Sequence, residues 1–381
     1  MILWEENILG RTMLSNRAGG SGLIKASIIR VIVSAVLIMS LVVLPSCHLS
    51  GNGPEGSLES SDSDLTGRPD EDTLVLGFSQ LGSESSWRVG STVSIQQAAA
   101  DSGIQLMFEN AQQKQENQIK AIRSFIAYQV DVIAFSPIVE DGWDNVLMEA
   151  KAAGIPVLLV DRYINTHDES LFDGFVGSDF EEEGRRAGRF LRDYFDGRYS
   201  SVELPEDGKV RIVELTGTEG SSPMRGRYSG FREIIGDDVR FEVIASESGD
   251  FLRSLGKEKM RNIISDLKEQ RENDQSDGRI DVLYSHNDGM TLGAIEALKE
   301  AGFRPGIDVL IISVDGEQAA IDKMKEGEIN CVVECTPMMG PLVMELVNKL
   351  AAGDTIPRFN YNDEKVFTQF DDLDSLPPRG F

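Results

Sequence analysis

Cysteine, histidine and tryptophan are scarce in this chain, with three of each in 381 residues. Cys331 and Cys335 lie four positions apart in a strand-like NCVVECTP, which separates them by about 13 Å, beyond disulfide reach. No histidine stands nearby, so both read as buried small apolar residues rather than as a disulfide or a metal site. Common catalytic sets are missing too. GFSQLG is not a G-x-S-x-G elbow, GTEGSSPMRGR lacks the Lys-Ser/Thr of a phosphate loop, and no His/Asp/Ser constellation appears. Positive charge is also short: 37 Lys and Arg face 63 Asp and Glu, a net charge of −26 at pH 7. Such a surface repels phosphate backbones. An enzyme, a metal, a cofactor and a nucleic-acid partner are therefore not expected.

One apolar run stands out, Val31–Pro45 (VIVSAVLIMSLVVLP), preceded by Lys25 and Arg30. At 15 residues it is short for a spanning helix but suits the core of a signal peptide. It stops at LPSC, as a bacterial lipoprotein signal does. Residues 1–47 are thus expected to be a signal segment with Cys47 lipidated. The remainder is then periplasmic or otherwise extracytoplasmic, anchored to a bacterial membrane. Glu5 and Glu6 sit badly in a positive n-region, and Met13 opens a cleaner one. Residues 48–72, dominated by Gly, Ser, Asp and Glu, cannot offset the entropy of ordering and read as a flexible acidic tether.

From Thr73 onward, short apolar runs alternate with helix-spaced segments. Strands are expected at Leu74–Phe78, Gln105–Glu109, Asp131–Phe135, Ile155–Val160 and Phe175–Gly177. The pattern repeats at Val210–Leu215, Val239–Ile244, Ile280–Ser285, Val309–Val314 and Ile329–Glu334, with Lys365–Thr368 as a last short strand. This predicts an α/β chain with two similar lobes, each built on a parallel sheet covered on both faces. Ligands in such sheets bind beyond the carboxyl ends of the strands.

The residues just past those ends carry the functional reading. Trp87 can cover the apolar face of a sugar ring while Arg88 donates hydrogen bonds of fixed geometry; Trp87 also suits a first-turn core position. Asp161, Arg162, Asn287 and Asp315 directly follow strands. They mix acceptor-only, donor-only and two-way groups, which suits a neutral polyol better than a phosphate. Arg225 and Arg227 open a helix, where the dipole disfavours positive charge, so one of them is expected to face the cleft. Asp179 reads as a helix N-cap, with Glu181, Glu182 and Glu183 as solvating carboxylates of the first turn.

GFSQLGSESSWR, NAQQKQENQIKAIRSFIAYQVDVIAFSPIVEDGWDNVL, GIPVLLVDR, SESGDFLRSLGKE, HNDGMTLGAIEALKEAG and VECTPMMGP carry a resemblance. Over about residues 72–368 the chain resembles the periplasmic sugar-binding proteins of the ribose/galactose class, and in particular their galactofuranose-binding subgroup. These are substrate-binding components of ABC transporters. The resemblance implies the type I periplasmic binding protein fold, with two doubly wound lobes joined by three crossings. On that pattern residues 73–178 with 336–362 form the N-terminal lobe, and residues 179–335 with 363–381 the C-terminal lobe and tail. It also implies a monosaccharide, galactofuranose or a related pentose or hexose, stacked on Trp87 and Phe251. Arg88, Ser136, Asp161, Arg162, Arg225, Asn287, Asp315 and Glu334 would hydrogen-bond its hydroxyls. Galactofuranose-type relatives keep an arginine at the place of Arg227 and often lack one at Arg225. A monomer of this kind would hand its sugar to a membrane permease, or, in a signalling variant, report to a chemoreceptor or sensor kinase. Sugar-responsive repressors use the same lobes but need an N-terminal DNA-binding helix pair, where this chain has a signal segment.

Overall fold

The computed structural model describes residues 73–199, 204–275 and 277–381. The expected signal segment, Cys47 and the tether lie outside these residues. In chain order come β1 (Val75–Gln80), α1 (Ser86–Asp101), β2 (Gln105–Asn110), α2 (Gln115–Tyr128), β3 (Val132–Phe135), α3 (Asp144–Ala152), β4 (Val157–Val160) and β5 (Gly174–Gly177). Then follow α4 (Phe180–Phe195), β6 (Val210–Thr216), α5 (Ser222–Ile235), β7 (Phe241–Ser248), α6 (Arg253–Glu272), β8 (Val282–Ser285) and α7 (Asp288–Glu300). The chain ends with β9 (Leu310–Asp315), α8 (Gln318–Lys325), β10 (Cys331–Glu334), α9 (Gly340–Ala351), β11 (Phe359–Tyr361) and β12 (Val366–Thr368).

Two six-stranded sheets result, in the orders β11-β5-β4-β3-β1-β2 and β12-β10-β9-β8-β6-β7. β3 (VIAF) and β4 (VLLV) are apolar and buried at every position, as a strand covered on both faces requires. Among the described residues the chain passes between the sheets three times, at residues 178–179, 335–339 and 362–365. Two features differ from the sequence reading. β11 was not expected, because FNY is too short and too exposed to show a period. β12 pairs antiparallel with β10, so the second sheet carries one reversed edge strand.

Packing of the described residues divides into three apolar clusters. One covers the outer face of the first sheet with α2 and α3, centred on Phe125, Phe135 and Trp143. A second covers the outer face of the other sheet with α6, α7 and α8. The third runs through both sheets and joins α1 and α9 to α4 and α5. The helices α4 and α5 approach very closely: a Cβ on Gly230 would lie 1.9 Å from the Glu181 carbonyl oxygen, and one on Gly184 2.4 Å from that of Arg227. Glycine is what permits this contact, and it brings the Glu183 side chain onto Arg227.

Candidate functional site

In each sheet the strand order reverses at one point. β1 pairs with both β2 and β3, and β6 with both β7 and β8. Crevices open at such switch points, beyond the carboxyl ends of the strands. Seven sequence-predicted residues, Trp87, Arg88, Asp161, Arg162, Phe251, Asn287 and Asp315, line one cavity there, together with Glu84, Pro223, Arg227 and Cys335. Its volume is about 30 Å³, whereas small-molecule sites begin at roughly 300 Å³. A sugar therefore enters only if these walls part.

Three buried arginines dominate the electrostatics. Arg88 ion-pairs with Asp161 at 2.7 Å and with Glu84 at 3.1 Å. Burial alone would lower its pKa, but those two carboxylates outweigh it and the net shift is upward. Arg162 donates to the Ile138 carbonyl at 2.9 Å and lies 3.9 Å from Asp161. Burial and the like charge of Arg88 bring its pKa down to about 10. Arg227 pairs with Glu183 at 2.7 Å, donates to the His286 carbonyl at 2.5 Å and stands 3.7 Å from Asp315. Burial pushes the Asp315 carboxyl well above its ordinary range, against the pull of Arg227. Phe251 lies under two of these cations, 5.5 Å from Arg162 and 6.0 Å from Arg227.

The backbone of the site is strained. Asp161, Phe251 and Asp315 have φ of 66°, 60° and 120°, conformations that non-glycine residues rarely adopt and that concentrate at ligand clamps. Phe251 is seated against Gly217, where an added Cβ would lie 1.8 Å from the ring. Gly217→Ala is expected to displace the ring from the cavity floor. The cost of such overpacking, about 1–3 kcal/mol, would appear in calorimetry as a loss of roughly tenfold in sugar affinity. Unchanged affinity would show that Phe251 does not touch ligand.

Other predicted residues stand elsewhere or are otherwise engaged. Trp87 is in the first turn of α1 and part of the core, and its indole donates to the Cys335 carbonyl at 2.6 Å. Asn287 lines the cavity, but its Oδ1 caps α7 through the Met290 N–H and its Nδ2 donates to the Phe251 carbonyl. Ser136 is buried at the end of β3 beside Ser79, outside the cavity lining. Glu334 turns away from it to pair with Arg379 and to accept the Lys365 N–H at 2.9 Å. Arg225 lies in a separate open groove of about 1290 Å³ and pairs there with Glu140. Two residues apart on a helix means about 200° around its axis, so only one of Arg225 and Arg227 can face the cavity, and it is Arg227.

Sequence reasoning also missed the carboxylate that holds Arg227. Asp179 does cap α4, accepting the Glu182 N–H at 2.9 Å, but Glu183 is buried rather than solvating. Cys331 and Cys335 are buried free thiols, and Cys335 borders the cavity. It follows β10 directly, the same signal that found Asp161 and Asp315. Glu183, Cys335 and Glu364 bring ligand-type atoms within 4.8 Å of one another. The Arg227 guanidinium already supplies positive charge there, and we assign no metal to them.

Two lobes, switch points face to face and a polar, partly aromatic cavity between them define a solute-binding protein. The periplasmic binding protein domain pattern matches residues 76–355. The galactofuranose-binding protein YtfQ of Escherichia coli (strain K12) is 43% identical over 284 residues, covering 74% of this chain and 84% of the relative. A protein from Mycobacterium smegmatis, solved in complex with β-D-fucofuranose, is 43% identical with a TM-score of 0.71, covering 78% of this chain and 92% of that one. The binding component of the arabinose ABC transporter of Shewanella sp. ANA-3, bound to α- and β-L-arabinofuranose, is 42% identical with a TM-score of 0.69, covering 77% and 92%. The chain belongs to the periplasmic sugar-binding proteins of the ribose/galactose class and is closely related to galactofuranose-binding proteins. That family consists of solute-binding proteins, not enzymes.

Proposed function

We propose that the protein binds one monosaccharide in its furanose form outside the cytoplasm and delivers it to the permease of an ABC transporter. The observation that carries this reading is the donor set of the cavity. Three buried guanidinium groups, the Asp161 side chain paired to two of them, and a carboxyl of raised pKa at Asp315 line one cavity with the ring of Phe251. Hydroxyls that both donate and accept satisfy such a set, and desolvated charge-assisted hydrogen bonds make it selective. Relatives that were solved with fucofuranose and arabinofuranose support the furanose ring. Lipidation at Cys47 and the tether would hold the lobes near a membrane permease. The mechanism is a binding cycle: open lobes capture sugar, closure buries it, and docking on the permease reopens them.

The test is calorimetry of protein refolded from denaturant to strip bound sugar, against D-galactose, D-fucose, L-arabinose and D-ribose at mutarotation equilibrium. One-to-one binding is expected, and ¹³C-labelled sugar in the complex should show furanose anomeric signals. A pyranose signal would overturn the furanose assignment and leave sugar binding standing; no heat with any of the four would overturn both. Uptake of the bound sugar in cells lacking the protein separates transport from a chemoreceptor or sensor-kinase role, because loss of uptake is expected only for transport.

A further inference from the structure

The peptide joining Cys335 to Thr336 lies in the second passage between the sheets and carries a load on each side. Its carbonyl accepts the Trp87 indole N–H at 2.6 Å, and its N–H donates to Glu364 Oε1 at 2.9 Å. Glu364 belongs to the third passage, and its Oε1 also accepts the hydroxyl of Ser178, from the first passage, at 2.6 Å. One buried carboxyl thus ties all three passages together, one peptide away from a wall of the cavity. Both donors bind Oε1, which leaves Oε2 to carry a proton.

The surroundings favour that proton. α4 contributes Glu183, and also Arg186, whose guanidinium donates to the Glu364 carbonyl at 2.8 Å. α5 contributes Arg227, already paired with Glu183, and the second passage contributes the Cys335 thiol, 3.4 Å from the Ser178 hydroxyl. Asp315, at the end of β9, adds its field at Cys335. Glu183 has one oxygen on Arg227 and leaves Oε1 without a well-aligned partner beside that thiol. Burial raises the Glu364 carboxyl to about 8, with the charge of Glu183 adding and the hydrogen bonds from Ser178 and Thr336 opposing.

We propose that Glu364 is a positioning residue for the ligand cavity: its Oε1 holds the Cys335–Thr336 peptide, and through it Trp87, in the ligand-ready arrangement, while a proton on the same carboxyl keeps it from repelling the neighbouring Glu183, which holds Arg227. Loss of the proton places a second negative charge beside Glu183 in a space with little water, and the passages loosen. The sign follows from linkage. The folded pKa lies above the ordinary carboxylate value of about 4.3, so the contribution is full below that value and is lost as pH rises to about 8. A proton gained on closure makes sugar affinity fall with rising pH in the upper part of that window.

The experiment is a pH titration of the ligand-free protein and its Glu364→Gln variant, following the Trp87 indole N–H by ¹H–¹⁵N NMR with Trp87→Phe for assignment. Gln keeps an acceptor for Ser178 and Thr336 and cannot lose a proton. The Trp87 signal is expected to move with a midpoint near that of Glu364 in the wild type and to stay fixed in the variant. A parallel calorimetric series with equilibrated D-galactose, which rests on the sugar-binding reading, should show Kd rising about tenfold from pH 6 to pH 9 in the wild type. In Glu364→Gln it should change by less than about twofold. A wild-type Trp87 signal that is constant across this range, or one that moves equally in the variant, overturns the proposal. Should the variant fail to fold, the wild-type titration decides alone. Should no sugar bind, the functional reading fails while the Trp87 titration still stands as the test of the coupling.

Discussion

Replacing Arg227 by methionine should raise the Kd for sugar at least about a hundredfold, roughly 3 kcal/mol. The guanidinium is buried and meets Glu183, the His286 carbonyl and Asp315 at once. Without it a ligand hydroxyl loses its donor, and two carboxylates are left in an apolar space. Breaking a buried pair from one side costs about 3–5 kcal/mol of stability, so the variant should also melt lower. That stability deficit should shrink as pH falls from 7 towards 5. Burial raises both carboxyls, and once the cation is gone they relax by taking up protons. The double variant Glu183→Met/Arg227→Met separates the two roles. Removing both charges should restore most of the stability and none of the affinity. Arg225→Met is the control, because its pair with Glu140 is exposed on the arginine side and such pairs contribute about 0–1 kcal/mol; its affinity should stay within about threefold. Tight sugar binding by Arg227→Met would move the ligand site out of this cavity.

The contrast between these two arginines shows what could be read from the sequence. Strand ends were legible because apolar runs such as VIAF and VLLV mark them and polar residues follow. Asp161, Arg162, Asn287 and Asp315 were found on that basis and reach one cavity, where Phe251, suggested by the family resemblance, joins them. The choice between Arg225 and Arg227 depends instead on the rotation of α5, which is set by glycine contacts with α4 that no period in the sequence reveals. Glu183 was misread for the same reason: in EEEGRR every carboxylate looks like a first-turn solvating group until α5 is laid against one of them. Glu334 stands outside the cavity lining for a different reason. Its neighbour Cys335 faces the cavity, while Glu334 pairs with Arg379 from the end of the chain, a contact of long separation and no local signature. The Glu364 cluster was beyond reach as well, because it assembles from three passages that are remote in sequence.

Asp161→Ala should weaken sugar binding by at least about 2 kcal/mol, or thirtyfold. The carboxylate stands between two cations, 2.7 Å from Arg88 and 3.9 Å from Arg162. Arg88 keeps Glu84 after the change, whereas Arg162 keeps the Ile138 carbonyl and its Nε has no hydrogen-bond partner even now. The two guanidinium groups then repel each other across a cavity that has lost the acceptor between them, and the pKa of Arg162, already down to about 10, should fall further. Backbone conformation adds a second, separable cost. At φ 66° asparagine is tolerated far better than alanine, by about 1 kcal/mol. Asp161→Asn should therefore melt above Asp161→Ala while still binding sugar poorly, because its amide oxygen can take the place of the one oxygen that both arginines approach, but the negative charge is gone and the second acceptor becomes a donor. Calorimetry and thermal melting of the two variants side by side read both effects. Equal melting temperatures would remove the strain argument. An Asp161→Ala affinity within about threefold of the wild type would show that this carboxylate serves the arginines alone and makes no contact with the ligand.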